Sequence, residues 1–225
     1  MPLLKSLAAR LPPLWQTELK RVHFGRQIAG NTFDTSEAEF KLLPQFLKPG
    51  DWAIDIGANV GQYTKRMSDL VGAEGRVIAF EPVPVTFSLL AANVVRFAHC
   101  NVTLINAAVS ERMDVLGMDI PRFATGLTNY YEARLVQGSA AATRVLTLPV
   151  DALSVDKPIA LIKIDAEGHE AFVMAGMRRL VDRFKPILIV ETGSPELIAS
   201  IEQMGYEVSR VAGSSNVVCR PRARV

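Results

Sequence analysis

The chain has 225 residues, 49% apolar and 21% charged, with a net charge of +2. That length and composition suit one α/β domain with a short appendage and a sizeable core, and the near-neutral balance gives no reason to expect nucleic acid or another polyanion as partner. Cys100 and Cys219 form no Cys-x-x-Cys pair, which argues against a zinc site or a disulfide framework and for a reducing, cytoplasmic setting, and no apolar run reaches the roughly 18 residues of a membrane span.

The first stretch, "MPLLKSLAARLPPLW", sets Leu3, Leu4, Leu7 and Leu11 on one helical face. Lys5 and Arg10 interrupt any signal-peptide core, and Pro12-Pro13 is expected to end the segment. It reads as a helix docked on the domain or on a partner, a second copy of the chain included, with a weak role at a lipid surface left open. Residues 1–32 are therefore set apart from a main domain at 33–225.

From Asp51 onward, apolar runs alternate with helical patterns. "DWAIDIG" predicts a buried strand, and "YTKRMSDLVG" a helix ended by Gly72. "GRVIAFEP" is a second strand, "PVTFSLLAANVVRFA" a helix with Pro84 in its first turn, and "NVTLINAAV" a third strand. The rhythm then breaks. "VLGMDIPRF" and "TRVLTLPVDAL" are strand pieces around the polar, aperiodic "ATGLTNYYEARLVQGSAAA". A loop this long is usually functional or disordered, so within a substrate-side insertion at about 117–147 the residues from about Arg122 to Ala142 are expected to form a mobile lid. The rhythm resumes with the strand "PIALIKID", the helix "EAFVMAGMRRLVDRF", the strand "KPILIVE", a helix capped by Ser194, and a β-hairpin about "GSSN". This alternation is the signature of a doubly wound, mostly parallel sheet with helices on both faces.

In such a sheet, ligands bind at the carboxyl ends of the strands. Asp55, Glu81, Asn106, Asp165 and Glu191 all fall at predicted strand ends, with Glu167, His169 and Glu170 just beyond Asp165. After Asp55 the turn runs Gly57-Ala58-Asn59-Val60-Gly61, which permits close backbone approach. It is neither a P-loop nor the G-x-G-x-x-G dinucleotide fingerprint. A carboxylate just before it suits a ligand carrying a cation; a plain tight turn is the alternative. Glu81, 20 residues past Gly61, can accept both hydroxyls of a ribose. Together these describe a nucleoside with a positively charged tail, of which S-adenosylmethionine is the familiar example.

"AIDIGANVGQYT", "VIAFEPVPVTFSLLAANV", "VTLINAAVS", "LIKIDAEGHEAFVMAGM" and "PILIVE", in that order, resemble an FkbM-type S-adenosylmethionine-dependent methyltransferase. The resemblance spans roughly Phe33 to Glu191, and its most specific parts are D-x-G-A-N-x-G and K-I-D-A-E-G-x-E together. It implies a class I (Rossmann-like) methyltransferase fold, a seven-stranded sheet with an antiparallel last strand, and O-methylation of a sugar or a small natural-product hydroxyl. By the same resemblance Asp55, Gly57, Ala58, Asn59 and Gly61 line the methionine part of the cofactor, with Tyr63 and Thr64 beside it. Glu81 holds the ribose, Pro82 and Val83 shape the pocket, and Asn106, Ala107 and Ala108 flank the adenine. Thr35 and Glu39 approach the cofactor from the segment before the first strand, and Asp165 stands where its reactive end meets the acceptor. One departure is "TLPVDAL" where members often carry Thr-Leu-Asp, so Asp151 takes no role.

Methyl transfer to a hydroxyl needs alignment and removal of a proton. Asp165 is the first choice of base, His169 the second, with Glu167 and Glu191 also in reach. Asp165 and Glu167 could instead hold a divalent ion, a less favoured reading because no third ligand is evident. Lys163 is expected to pair with an acid on the neighbouring strand, and Glu170 to be a first-turn acid. Phe80, Phe87, Phe172 and Phe184 read as core, whereas Tyr130 and Tyr131, in the polar insertion, could close over an acceptor. The rival readings are an N-methyltransferase on a small amine, a nicotinamide oxidoreductase, and a non-catalytic nucleoside-binding module.

Overall fold

The apolar runs predicted as strands assemble into one seven-stranded sheet. In the computed structural model, which describes residues 11–121, 123, 128–136, 141 and 143–222, its strands are β1 (Trp52–Ile56), β2 (Arg76–Phe80), β3 (Val102–Ile105), β8 (Ile159–Ile164), β9 (Ile187–Glu191), β10 (Tyr206–Arg210) and β11 (Asn216–Pro221). The order across the sheet is β10-β11-β9-β8-β1-β2-β3. β3, β2, β1, β8 and β9 are parallel neighbours, and β11 runs antiparallel to both β9 and β10. This is the class I methyltransferase sheet, with its strand order reversing between β1 and β8. Each central strand is apolar on both faces. Ile54 and Ile56 pack with Ile162, Ile164 and Val190 on one side, while Ala53 packs with Tyr63, Met67 and Val71 on the other. The alternation of side chains along β1 puts Asp55 on the same side as Ala53.

Helices cover both faces: α1 (Pro13–Ala29), α2 (Leu43–Phe46), α3 (Gln62–Val71), α4 (Pro84–Val94), α5 (Glu170–Gly176), α6 (Arg178–Phe184) and α7 (Pro195–Gln203). Gly72 ends α3, and Ser194 caps α7 by accepting a hydrogen bond from the Leu197 amide. Asp151 accepts from the amides of Arg179 and Leu180, at 2.9 Å each, and so serves as the anion at the start of α6.

Five expectations change. Pro12-Pro13 begins a helix instead of ending one: Pro12 is the N-cap of α1 and Pro13 its first residue, where the missing amide costs nothing. Leu3, Leu4 and Leu7 lie outside the described residues. The third strand stops at Ile105, and Ala108–Val109 form β4 in a second sheet. The helix predicted over "EAFVMAGMRRLVDRF" breaks at Met177 into α5 and α6. There Gly176 abuts the Ser110 carbonyl so closely that a Cβ would lie 2.0 Å from its oxygen. Phe172 is exposed and stacks on His169, ring centroids 4.5 Å apart. Finally, the insertion is more than loop. β5 (Asp114–Asp119), β6 (Arg134–Val136) and β7 (Thr143–Leu148) join β4 in the order β4-β7-β5-β6, with one 3-10 turn at Tyr130–Glu132. Its inner face is apolar: Met118 and Val145 pack with Val83 and Ala108 against Tyr130 and Leu135.

Candidate functional site

The cleft lies where the strand order reverses, between the carboxyl rim of the large sheet and the inner face of the small one. It takes in about 610 Å³ of space, counting the part open to solvent. Gly57, Asn59, Glu81, Pro82, Ala107 and Ala108 line one side, and Asp165, Glu167 and His169 another. Met118, Tyr130, Ala133 and Leu135 of the small sheet form an apolar wall. The first two groups were expected from sequence. Of these wall residues only Tyr130 was: Met118 lies on a predicted strand piece whose inward face the sequence did not mark, Leu135 on a three-residue strand, and Ala133 outside any element.

The turn after β1 is shaped by packing. Gly57 has φ +80°, and a Cβ there would lie 1.9 Å from the Asp165 carbonyl oxygen. The β1 and β8 backbones thus come together at the point where the Asp165 amide donates to the Ile56 carbonyl. Gly61 has φ +99° and faces Leu90, and Asn59 holds φ +49°. The bare turn therefore has a structural cause at Gly57 and Gly61, whatever else lies against it.

Glu81 is buried, and both its oxygens accept backbone hydrogen bonds, from Asn59 at 2.9 Å and Val83 at 2.8 Å. Burial nevertheless dominates and pushes its pKa up to about 7, against the two amides that favour its charge. Asn106 holds this corner by donating to the carbonyls of Glu81 and Pro82. Asp55 is fully buried: Oδ2 accepts from the Thr64 hydroxyl at 2.6 Å, and Oδ1 accepts no hydrogen bond among the described residues. Burial raises its pKa, with Lys163 and Thr64 opposing.

Lys163 is the cation of the site. It is buried, bonds Asp165 Oδ2 at 2.9 Å, and lies 4.6 Å from the centroid of the Tyr63 ring. Asp55 is its register partner on β1. The expected ion pair is thus made chiefly along its own strand. Burial works against the Lys163 charge, but Asp165 and Asp55 outweigh it and leave its pKa raised. Around Asp165 the carboxylates crowd. Burial, then Asp165 and Glu191, push Glu167 up to about 7. Burial, then Asp165 at hydrogen-bonding range, raise Glu191, against the Ser215 hydroxyl that bonds it at 2.7 Å. Glu167 itself is held at φ +49°, so a tight turn sets its direction. His169 Nε2 lies 2.9 Å from Ser110 Oγ, and burial lowers its pKa, which keeps the ring neutral at pH 7. Glu170 is buried and accepts from the Gly168 amide, closing that turn.

Other expected residues stand behind the cleft, outside its lining. Tyr63 donates to Glu37 at 2.6 Å and approaches Glu39 at 3.1 Å, and Glu39 accepts from Asn216 at 2.5 Å. Thr35 bonds Glu37. This network ties the segment before β1 to β11 across 177 residues of sequence. Asn216 is a residue that sequence reasoning passed over, since nothing local marks it. The side chain of Tyr131 lies outside the described residues. No group of three or more His, Cys, Asp or Glu among the described residues could hold a metal ion.

The family described as the Methyltransferase FkbM domain matches residues 55–208. The chain is 34% identical over 103 residues to the 31-O-demethyl-FK506 methyltransferase FkbM of Streptomyces tacrolimicus, covering 44% of this chain and 35% of that protein. It is 36% identical over 72 residues to the ribosomal RNA large subunit methyltransferase E of Methanothermobacter thermautotrophicus, covering 30% and 34%. These matches span about a third of each curated relative. The crystal structure of methyltransferase FkbM from Methylobacillus flagellatus superposes with a TM-score of 0.54 at 15% identity, over 89% of this chain and 59% of that one, and supports the fold.

Proposed function

The chain belongs to the FkbM methyltransferase family, and from that premise we propose that it transfers a methyl group from S-adenosylmethionine to a hydroxyl of a sugar or small natural product. The observation that carries this is one cleft edged by a buried ribose-type acid, Glu81, at one end and by the Asp165–Glu167–Glu191 cluster at the other. Two features of the chain fit the cofactor. Glu81 is a buried carboxylate that two amides do not fully stabilise, so further donors such as a diol would favour its charge. Asp55, whose Oδ1 is a buried acceptor with capacity to spare, stands behind the lining of the cleft and keeps negative charge beneath the Gly57 turn. S-adenosylmethionine supplies, when bound, a methyl group on a sulfonium that needs little electrophilic help.

The remaining work falls to the protein. Glu81 and the Asn59 turn orient the nucleoside end, and Ala107 and Ala108 leave room for a flat base. Lys163 holds Asp165 in place from beneath, so Asp165 acts as a fixed anion at the acceptor side. Glu167 becomes the better candidate for the base, because its pKa of about 7 is matched to neutral pH. His169, neutral and bonded to Ser110, can relay or accept the same proton. Met118, Tyr130 and Leu135 exclude water and select the acceptor's apolar body.

The relative named for ribosomal RNA makes nucleic acid the competing acceptor. Glu132, Asp165, Glu167 and Glu191 gather at this mouth, against Arg134 and the buried Lys163. A phosphate backbone would meet carboxylates there. Labelled methyl transfer to a panel of glycans, natural-product hydroxyls, small amines and ribosomal RNA decides the matter. Label on hydroxyl acceptors supports the proposal. Label confined to amines or RNA overturns it.

A further inference from the structure

Helix α1 presents two contrasting faces. Inward, Phe24 and Ile28 pack with Phe33, Leu89 and Phe97. Outward, Leu11, Trp15, Leu19 and Val22 recur at helical spacing, with Leu14 beside them; Leu14 is 79% exposed and Trp15 64%. None of these residues serves the core that α1 helps to close. Just past the end of α4, Val95 is 80% exposed, and the next residue, Arg96, lies against Gly25 of α1. The edges of the stripe are basic. Arg21 and Arg26 flank it on α1 and Arg96 just past α4, while Glu18, ion-paired to Arg21 at 2.8 Å, is the single acid of the helix. An apolar stripe with an exposed tryptophan and arginine borders is the composition of a helix that lies in a lipid interface.

We propose that α1 seats this protein on the surface of an anionic lipid bilayer, the apolar stripe entering the headgroup boundary and Arg21, Arg26 and Arg96 facing lipid phosphates. Charge selects this occupant over a second copy of the chain. Two copies joined by the same face would set these arginines against one another, and like charges at an interface are costly. No helix among the described residues is long and apolar enough to cross a membrane. The placement also has a consequence. Lys20, on the other side of α1, is half-buried with its ammonium 5.2 Å from the centre of the Tyr130 ring, and Tyr130 lines the cleft. A seated α1 would hold the cleft beside the lipid surface. The proposal is independent of the methyl-transfer reading, and its test measures lipid binding alone.

The full chain is mixed with vesicles of neutral phosphatidylcholine and with vesicles in which about a third of the lipid is phosphatidylglycerol. Binding is read by co-sedimentation and by tryptophan emission in a Trp52→Phe background, which leaves Trp15 as the reporter. The expected result is tight binding to the anionic vesicles at low salt with a blue shift of Trp15 emission. Affinity for neutral vesicles should be about tenfold lower or less. Leu14→Ser with Leu19→Ser, and separately Arg21→Gln with Arg26→Gln, should each weaken binding about tenfold. Circular dichroism checks that each variant keeps its helix content; where one pair fails to fold, the other decides. Equal binding to neutral and anionic vesicles, no binding to either, or binding unchanged in the folded variants overturns the proposal. So does a dimer in sedimentation velocity that the Leu14/Leu19 variant dissociates while lipid binding is absent.

Discussion

The two walls of the cleft are built on opposite plans. The rim of the large sheet brings together Asp55, Glu81, Lys163, Asp165 and Glu191, each at or near the end of a strand buried on both faces. The small sheet offers Met118 and Leu135 on short strands, with Tyr130 in the 3-10 turn and Ala133 in the link between that turn and β6. The first wall can bind and titrate; the second can only pack. On the proposed function, chemistry falls to one wall and acceptor selection to the other, and mutations on the two should differ in kind. Changes on the rim should move turnover, pH profile or cofactor affinity. Changes on the small sheet should move KM for the acceptor.

The largest effect is expected at the base. Glu167→Gln should lower turnover by roughly 10²–10⁴-fold with little change in cofactor affinity, measured by single-turnover methyl transfer. Asp165→Asn sharpens the assignment. The Asp165 charge helps to raise Glu167, so its removal should shift the rising limb of the pH–rate profile to lower pH. A limb that stays near pH 7 in Asp165→Asn, or survives in Glu167→Gln, would remove Glu167 from that role.

Next comes the backbone contact beneath the rim. Gly57→Ala would force a Cβ within 1.9 Å of the Asp165 carbonyl at positive φ, and should cost about 3 kcal/mol or more. Denaturant unfolding measures this. Gly61→Ala should cost less, since its first contact is the movable end of Leu90.

The pH dependence of stability follows in size. Glu81 and Glu167 keep their protons to about pH 7, above the ordinary 4.5. Between those values the folded protein binds more protons than the unfolded chain, so these groups make stability fall as pH rises from about 4.5 to 7. Thermal melts across that window should show the decline, reduced in Glu167→Gln. A rise in melting temperature attributable to either group would contradict the burial assigned to it. The smallest effect belongs to the packing wall. Tyr130→Ala should raise acceptor KM by a contribution of about 0.5–1.5 kcal/mol and leave kcat nearly unchanged. A loss of kcat there would erase the division between the walls.

The same division decides what was legible in the sequence. β1, β2, β8 and β9 announce themselves because burial on both faces demands runs that are almost wholly apolar, and the few charged residues in or just after them stand out. The small sheet does not. Ala108–Val109 and Arg134–Val136 are too short for a period, and their burial depends on Val83 and Val145, contributed from elsewhere in the chain. Long-range pairing hides in the same way. Glu39 and Asn216 meet across 177 residues, and no local pattern marks either one. Gly57 is visible as a bare position, but its partner, the carbonyl of Asp165, emerges only when β1 and β8 lie side by side. Pro12-Pro13 carried two opposite meanings, and the helix that follows it chose between them.

The central claim is that the acids on the rim form a site for S-adenosylmethionine. Isothermal titration with S-adenosylhomocysteine, NAD and ATP in turn, on the wild-type chain and on Glu81→Ala, tests it most directly. The account predicts binding of S-adenosylhomocysteine alone, weakened by about 1–3 kcal/mol in a folded Glu81→Ala variant. Binding of NAD with silence toward S-adenosylhomocysteine, or unchanged affinity in the variant, would contradict it.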